Sequence, residues 1–127
     1  MVNLGGATEN DRKKIVIRKD SKAFFHNNVD YCVGTGRMGL ALTEEYQEEL
    51  RLVQKEIGFK HIRGHGLFCD DMAIFQTYEE DGKVRVEYNY TYLDRVMDAY
   101  KKVGLRPFLE LGFMPKKLAS GSQTIFY

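Results

Sequence analysis

From about residue 30 onward, short apolar runs alternate with segments whose apolar residues recur at helical spacing. Residues 31–33 predict a brief buried strand that ends at Gly34. A helix is predicted next, with Thr43 as its N-cap and Gly58 as the glycine that ends it. Its apolar positions are Tyr46, Leu50, Val53 and Ile57. Residues 59–65 are then predicted to form a second strand.

A β-hairpin is predicted after the second strand. Residues 74–78 and 84–88 are rich in strand formers, and Asp81-Gly82 between them is a strong turn signal. A second helix is predicted, with Thr91 as its cap and Gly104 as the glycine that ends it, and residues 106–111 predict a third strand. The apolar side of that helix consists of Leu93, Val96, Met97, Tyr100 and Val103.

The order of helix, glycine, strand and glycine occurs twice, with Gly58 and Gly66 in the first copy and Gly104 and Gly112 in the second. Strands that alternate with helices favour right-handed βαβ units and a parallel sheet, which is an α/β fold. A Rossmann-like sheet and a (β/α)8 barrel both fit this alternation. The predicted hairpin follows a strand, on the side where barrel enzymes carry their active-site insertions.

Residues 1–28 are polar and irregular, and they predict a surface extension or an edge strand. They contain no signal-peptide core, and no apolar run in the sequence approaches the roughly 20 residues that span a bilayer. With 19 basic and 18 acidic residues, the charge is too even to predict a surface for nucleic acid or an anionic membrane. Cys32 and Cys69 are too few for a disulfide framework, so we expect reduced thiols in a cytoplasmic protein.

Residues 34–39 match the G-x-G-x-x-G pattern of dinucleotide-binding proteins. That function needs a helix that opens within the motif and an acidic residue at the end of the next strand. Here the helix is predicted to begin later, and the next strand ends in Arg63 and His65. The pattern therefore favours a glycine-rich loop after the first strand, and NAD retention would test the alternative of a nucleotide-binding protein.

Two histidines, His61 and His65, are four residues apart on the second predicted strand. On a strand this spacing spans about 13 Å, too far for two bonds to one metal ion. His65 lies at the carboxyl end of its strand, which is the active face of a parallel barrel. Glu110, near the equivalent end of the third strand, is either a catalytic acid or the ion-pair partner of Arg63, and we favour the ion pair.

Asp70 and Asp71 follow the second strand and are adjacent in sequence. Neighbouring side chains on an extended chain point in opposite directions, so the two carboxylates are not expected to form a catalytic pair. We expect them to cap loops or to accept hydrogen bonds at the rim of the fold.

Six ordered blocks of the sequence resemble the family-39 glycoside hydrolases, most closely the bacterial β-xylosidases and more distantly the α-L-iduronidases. The blocks are residues 31–37, 62–67, 88–94, 106–108, 112–116 and 123–127. The resemblance implies that residues 29–127 are the N-terminal three βα units of a (β/α)8 TIM barrel, with the hairpin inserted after strand two. It also implies retaining hydrolysis of β-1,4-linked xylo-oligosaccharides from the non-reducing end, without a cofactor or metal.

In the family that these blocks resemble, the acid/base glutamate lies in an Asn-Glu-Pro sequence after the fourth strand, and the nucleophilic glutamate comes from the seventh. The printed sequence contains no Asn-Glu-Pro. We therefore expect both catalytic residues to lie beyond these 127 residues, and the chain alone to be an inactive fragment. The alternative is a non-catalytic partner or sugar-binding module that completes a barrel with a separate chain, or that forms a homo-oligomer.

The resemblance also implies a set of residues that bind the xylo-oligosaccharide. His65 matches a histidine that faces the sugar in the −1 subsite, and Phe126 matches an aromatic residue of the substrate pocket. Phe113 lies in the matched loop after the third strand, and Arg37 lies in the first loop on the same face. Glu110 completes the predicted substrate-binding set.

Overall fold

The computed structural model describes residues 15–20, 24 and 26–122 of the chain. Phe126 and much of the segment 1–28 therefore lie outside the described residues. The strands are β1 (Cys32–Arg37), β2 (His61–His65), β3 (Phe75–Glu80), β4 (Lys83–Tyr88) and β5 (Arg106–Leu109), and the helices are α1 (Glu44–Glu56) and α2 (Thr91–Lys102). Short 3-10 turns cover Met38–Leu42, Asp70–Met72 and Lys116–Leu118.

A parallel sheet with the strand order β1-β2-β5 forms the centre of the fold. Ile62 of β2 pairs with Val33 on one side and with Pro107 on the other. The helices α1 and α2 connect successive strands of this sheet, so the predicted α/β organisation is confirmed. Because all three strands run in one direction, their carboxyl ends lie at the same edge.

The first strand is longer than its apolar run predicts. The prediction that Gly36 and Arg37 belong to a loop was wrong, because β1 continues through the glycine-rich segment to Arg37. Gly34 pairs with Arg63, and the register shifts between Gly34 and Arg37. Glycines in a strand commonly mark such an irregularity, and here backbone pairing with β2 outweighs their weak preference for strand structure.

The hydrophobic core lies between the sheet and the two helices. Ile62 shares a buried cluster with Leu50 of α1 and with Val96 and Tyr100 of α2. Burial raises the pKa of the Tyr100 hydroxyl, since ionisation would place a charge in this apolar layer. Gly64 allows close packing here, because a Cβ atom at this position would lie 3.2 Å from Thr35 Cγ2.

The helices begin and end close to the predicted residues. Thr43 lies at the predicted N-cap position of α1, whereas the predicted cap at Thr91 is wrong because the N-cap of α2 is Tyr90. The Thr43 hydroxyl donates to a carbonyl oxygen of the preceding turn at 2.9 Å and makes no capping hydrogen bond to α1. Thr91 is the first residue of α2, and Asn89 Oδ1 accepts its backbone N–H at 2.9 Å. Gly58 and Gly104 follow the helices with positive φ angles of 76° and 75°, which confirms the predicted helix ends.

The hairpin β3–β4 forms a second sheet of its own. Its antiparallel register runs from Phe75 opposite Tyr88 to Glu80 opposite Lys83. Asp81 and Gly82 have φ angles of 52° and 68°, as a two-residue turn with two left-handed positions requires. The hairpin predicted from Asp-Gly is thus confirmed as a local structure.

Both cysteines are free thiols, Cys69 buried and Cys32 partly buried. In the part of the chain that the structure describes, neither helix has the length and apolar character needed to cross a membrane.

Removing the side chain at the centre of the sheet should weaken the fold. Ile62 is 1% exposed, so Ile62→Ala is expected to lower the free energy of unfolding by about 2–5 kcal/mol in urea denaturation. Ile57→Ala is the matched control, because Ile57 is 57% exposed at the end of α1. Its effect should stay within about 0.5 kcal/mol. Equal losses at the two positions would contradict the described core.

Candidate active site

The candidate site lies at the carboxyl edge of the parallel sheet. His65 is the last residue of β2, and Glu110 directly follows β5, the neighbouring strand. Side chains alternate along a strand, so Arg63 and His65 lie on the face opposite to the buried Ile62 and Gly64. The strand that builds the core on one face therefore presents polar groups on the other.

A cleft of about 350 Å³ is lined by Arg63, His65, Glu110 and Phe113. Arg63 Nε donates to Glu110 Oε1, so the predicted ion pair is confirmed. The side chains are 52% exposed for Arg63 and 29% for Glu110, which places the pair at a rim rather than in the interior. Since the Glu110 carboxylate is held by a guanidinium, the geometry favours a fixed polar surface over a proton-transferring acid.

His65 and Phe113 face each other across this cleft. Their ring centroids lie 6.3 Å apart at an interplanar angle of 67°, an edge-to-face arrangement. The cleft thus combines polar groups with an aromatic surface, as small-molecule sites commonly do.

Arg37 is close to His65 in the sheet but does not line the cleft. The two residues are partners in the register between β1 and β2. However, Arg37 Nη1 lies 3.5 Å from Asp71 Oδ2, so its guanidinium is directed to the loop after β2. The structure therefore brings His65, Glu110 and Phe113 together, whereas Arg37 neighbours only His65, through strand pairing, and Phe126 lies outside the described residues.

Alternation along β2 also places Arg63 in the site. Arg63 lines the cleft itself, whereas its place in the sequence predicted only a partner of Glu110. Its two-residue spacing from His65 was the signal that could have placed it there. Asp70 and Asp71 lie in the 3-10 turn Asp70–Met72, so the extended chain assumed for them in the prediction is wrong. Asp70 Oδ1 accepts the backbone N–H of Lys116 at 3.1 Å, and Asp71 pairs with Arg37, so each carboxylate has a separate partner at the rim, as predicted.

The family model described as Glycosyl hydrolases family 39 matches residues 13–127. The chain belongs to this family. The match confirms the resemblance of the six sequence blocks and begins upstream of the first of them.

Among curated relatives of family 39, a β-xylosidase of Geobacillus stearothermophilus is 51% identical over 115 residues, which are 91% of this chain and 23% of that protein. A β-xylosidase of Caldicellulosiruptor saccharolyticus is 37% identical over 97 residues, which are 76% of this chain and 19% of that protein. The chain thus spans roughly a fifth of the length of these relatives.

Solved structures of family-39 enzymes show the same fold in this region. A β-xylosidase of Caulobacter crescentus superposes with a TM-score of 0.67 at 36% identity, over 77% of this chain and 21% of that chain. An enzyme of Xanthomonas axonopodis pv. citri superposes with a TM-score of 0.64 at 37% identity, over 77% and 19% of the respective chains. The described residues are therefore an α/β fragment similar to the N-terminal region of these enzymes, consistent with a partial TIM barrel.

The ion pair in the cleft should have a measurable but small coupling energy. A double-mutant cycle of Arg63→Met and Glu110→Gln is expected to give about 0.2–1 kcal/mol in the free energy of unfolding, because both groups keep contact with water. Added salt should reduce this value. The control is the Arg85–Glu80 pair of the hairpin, whose side chains are 53% and 55% exposed. A coupling no larger than in that more exposed pair would contradict the description of the cleft.

Proposed function

We propose that the chain is the N-terminal part of the (β/α)8 catalytic barrel of a retaining β-xylosidase. The proposed substrates are β-1,4-linked xylo-oligosaccharides, cleaved from the non-reducing end. The observation that carries the proposal is the cleft of Arg63, His65, Glu110 and Phe113 at the carboxyl ends of parallel strands, where barrel enzymes place their active sites. The β-xylosidase named above, at 51% identity, supports this choice of substrate class.

The exposed face of the sheet supports a barrel of which these are three βα units. Phe108 pairs with Arg63 on the face away from the helices, and its side chain is 54% exposed. In a closed barrel this face is the interior, where side chains from alternate strands fill the centre. The hairpin β3–β4 then becomes an insertion between the second strand and its helix.

Each residue of the cleft has a distinct proposed role toward the sugar. The His65 imidazole can donate or accept one hydrogen bond with a sugar hydroxyl. Phe113 offers an apolar surface beside it, and the Arg63–Glu110 pair supplies a polar floor of fixed geometry. Phe126 is proposed to contact the same sugar on the strength of the family resemblance.

The two carboxyl groups of the reaction are proposed to come from later units of the barrel. A retaining glycosidase needs an acid that protonates the leaving oxygen and a nucleophile that attacks the anomeric carbon, about 5–5.5 Å apart. Among the residues that the structure describes, Glu110 is the one carboxylate that lines this cleft, and it is already paired with Arg63. One carboxylate in an ion pair does not supply both roles.

The proposed division of the barrel predicts where activity is found. The isolated 127-residue chain should not release the aglycone from an aryl β-xyloside above background. Addition of the later barrel units, either in one polypeptide or by co-expression as a separate chain, should restore turnover. A separate chain that restores activity would favour the partner-module alternative, whereas turnover by the isolated chain would show that the catalytic groups lie within it.

His65 should be required for efficient hydrolysis by the complete barrel. His65→Gln is expected to lower kcat/KM on an aryl β-xyloside by about 10- to 100-fold, because a hydrogen bond to the sugar is lost or displaced. His61→Gln is the matched control, since His61 lies at the amino end of the same strand and its Nδ1 is 3.0 Å from the Tyr31 carbonyl oxygen. The proposed role of His65 is wrong if the two variants lose activity equally.

A further inference from the structure

We propose that the 3-10 turn Asp70–Met72 fixes the positions of the segments that flank the cleft, and that Asp70 is the positioning residue for Phe113. The inference rests on the proposed function, because it assigns the turn a part in forming the same sugar site. It concerns residues that do not line the cleft of Arg63, His65, Glu110 and Phe113 themselves.

The loop that carries Phe113 depends on outside attachments for its conformation. No helix or strand lies between the end of β5 and the turn Lys116–Leu118. Before Phe113, the carbonyl oxygen of Gly112 accepts the backbone N–H of Phe68 at 2.9 Å. After it, the backbone N–H of Lys116 donates to Asp70 Oδ1 at 3.1 Å. A segment with few internal bonds takes its shape from such contacts, so Phe113 is held between two attachments to the loop after β2.

Asp70 supplies the cap that the turn Lys116–Leu118 lacks in its own sequence. The residue at the N-cap position is Pro115, whose side chain has no hydrogen-bond acceptor, and the turn has no side-chain cap of its own. The carboxylate of Asp70 instead accepts the backbone N–H of Lys116, the first residue of the turn, from 46 residues away in sequence. A bond from a backbone N–H to a carboxylate is charge-assisted and stronger than a neutral one.

A second contact joins the turn Lys116–Leu118 to strand β3 of the hairpin. Lys117 Nζ donates to the carbonyl oxygen of Thr77 at 2.9 Å and also to its hydroxyl. These side chains line a groove together with Asp70 and Gln76. Asp70, Thr77 and Lys117 already form hydrogen bonds across this groove. The groove therefore connects the turn Lys116–Leu118 to the loop after β2 and the hairpin, and it is not an open ligand site.

Asp71 makes the contact on the other side of the turn. Its Oδ2 lies 3.5 Å from Arg37 Nη1, at the end of β1 and beside His65 in the sheet. The third residue of the turn, Met72, is 1% exposed and lies in the main hydrophobic cluster. One turn anchored in the core therefore contacts the end of β1 on one side and the loop after β5 on the other, and a change at Asp70 should move Phe113 without unfolding the sheet.

The test uses Asp70→Ala and Asp70→Asn in the complete active barrel, with an aryl β-xyloside as the substrate. Loss of the acceptor in Asp70→Ala should raise KM about fivefold and change kcat less than about twofold, because binding weakens more than chemistry. Asp70→Asn keeps an Oδ1 acceptor and should restore most of the wild-type KM. Amide hydrogen exchange at Lys116 should be faster in Asp70→Ala than in Asp70→Asn.

Two further variants separate positioning from a general loss of structure. Asp98→Ala is the control, because Asp98 is an exposed carboxylate on α2 that forms no ion pair with the described residues. Lys117→Met removes the outer contact from an exposed position, and it should raise KM in the same direction even if Asp70→Ala does not fold.

The proposal is overturned if the complete barrel is active but neither Asp70→Ala nor Lys117→Met raises KM while exchange at Lys116 increases. It is also overturned if Asp70→Asn loses as much affinity as Asp70→Ala, since the acceptor would then not matter. A complete wild-type barrel without activity on the β-xyloside is a different result, and it would contradict the proposed function itself.

Discussion

The pairing of β2 between β1 and β5 is the constraint on which both the core and the cleft depend. Ile62 and Gly64 face the helices, whereas Arg63 and His65 face the other way. A slip of one residue in the register would exchange these faces, bury a guanidinium and expose the centre of the core. The cost of that exchange fixes the register, and the register in turn places His65 at the carboxyl edge of the sheet.

At this edge of the sheet, a charged residue at the rim is twice followed by a buried methionine. Arg37 lies at the rim and is followed by Met38, which is 1% exposed, and Asp71 is followed in the same way by Met72. The two methionines belong to one buried cluster, while the two charged residues pair with each other outside it. Burial of each methionine thus anchors the segment that contains it against the core, and the ion pair fixes how the two segments lie beside one another.

Local signals in the sequence were sufficient to predict the helices and the hairpin, but they did not predict features that depend on contacts between distant residues. The hairpin follows from Asp81-Gly82, because only a few turns accept two left-handed residues. The extent of β1 does not follow from its own residues, since Gly34 and Gly36 resemble a loop until β2 pairs with them. Thr43 occupies the predicted N-cap position of α1, but its side chain does not bond the helix, and Thr91 is the first residue of α2 rather than its cap. Such details are hard to predict because several nearby groups can bond the same N–H, as Asn89 does for α2.

The candidate site shows the same limit. His65, Glu110 and Phe113 could be predicted because each follows a strand end or lies in a block that resembles the family. The bond from Lys116 to Asp70 joins residues 46 positions apart, and nothing in either local sequence specifies the partner. That partner is chosen by the order of strands in the sheet, which brings the loops after β2 and β5 together.

The Arg63–Glu110 pair illustrates why charges are tolerated on the face of a sheet that a barrel would enclose. In the described residues the pair is partly exposed and contributes little to stability. Enclosure by further strands would remove water from both groups, and the cost of that desolvation exceeds the attraction unless each charge keeps its partner and further hydrogen bonds. An ion pair whose remaining donors and acceptors face a cleft can obtain those hydrogen bonds from sugar hydroxyls. In the proposed barrel, the same desolvation that makes the pair costly without a ligand would therefore favour a polyhydroxyl substrate in the cleft.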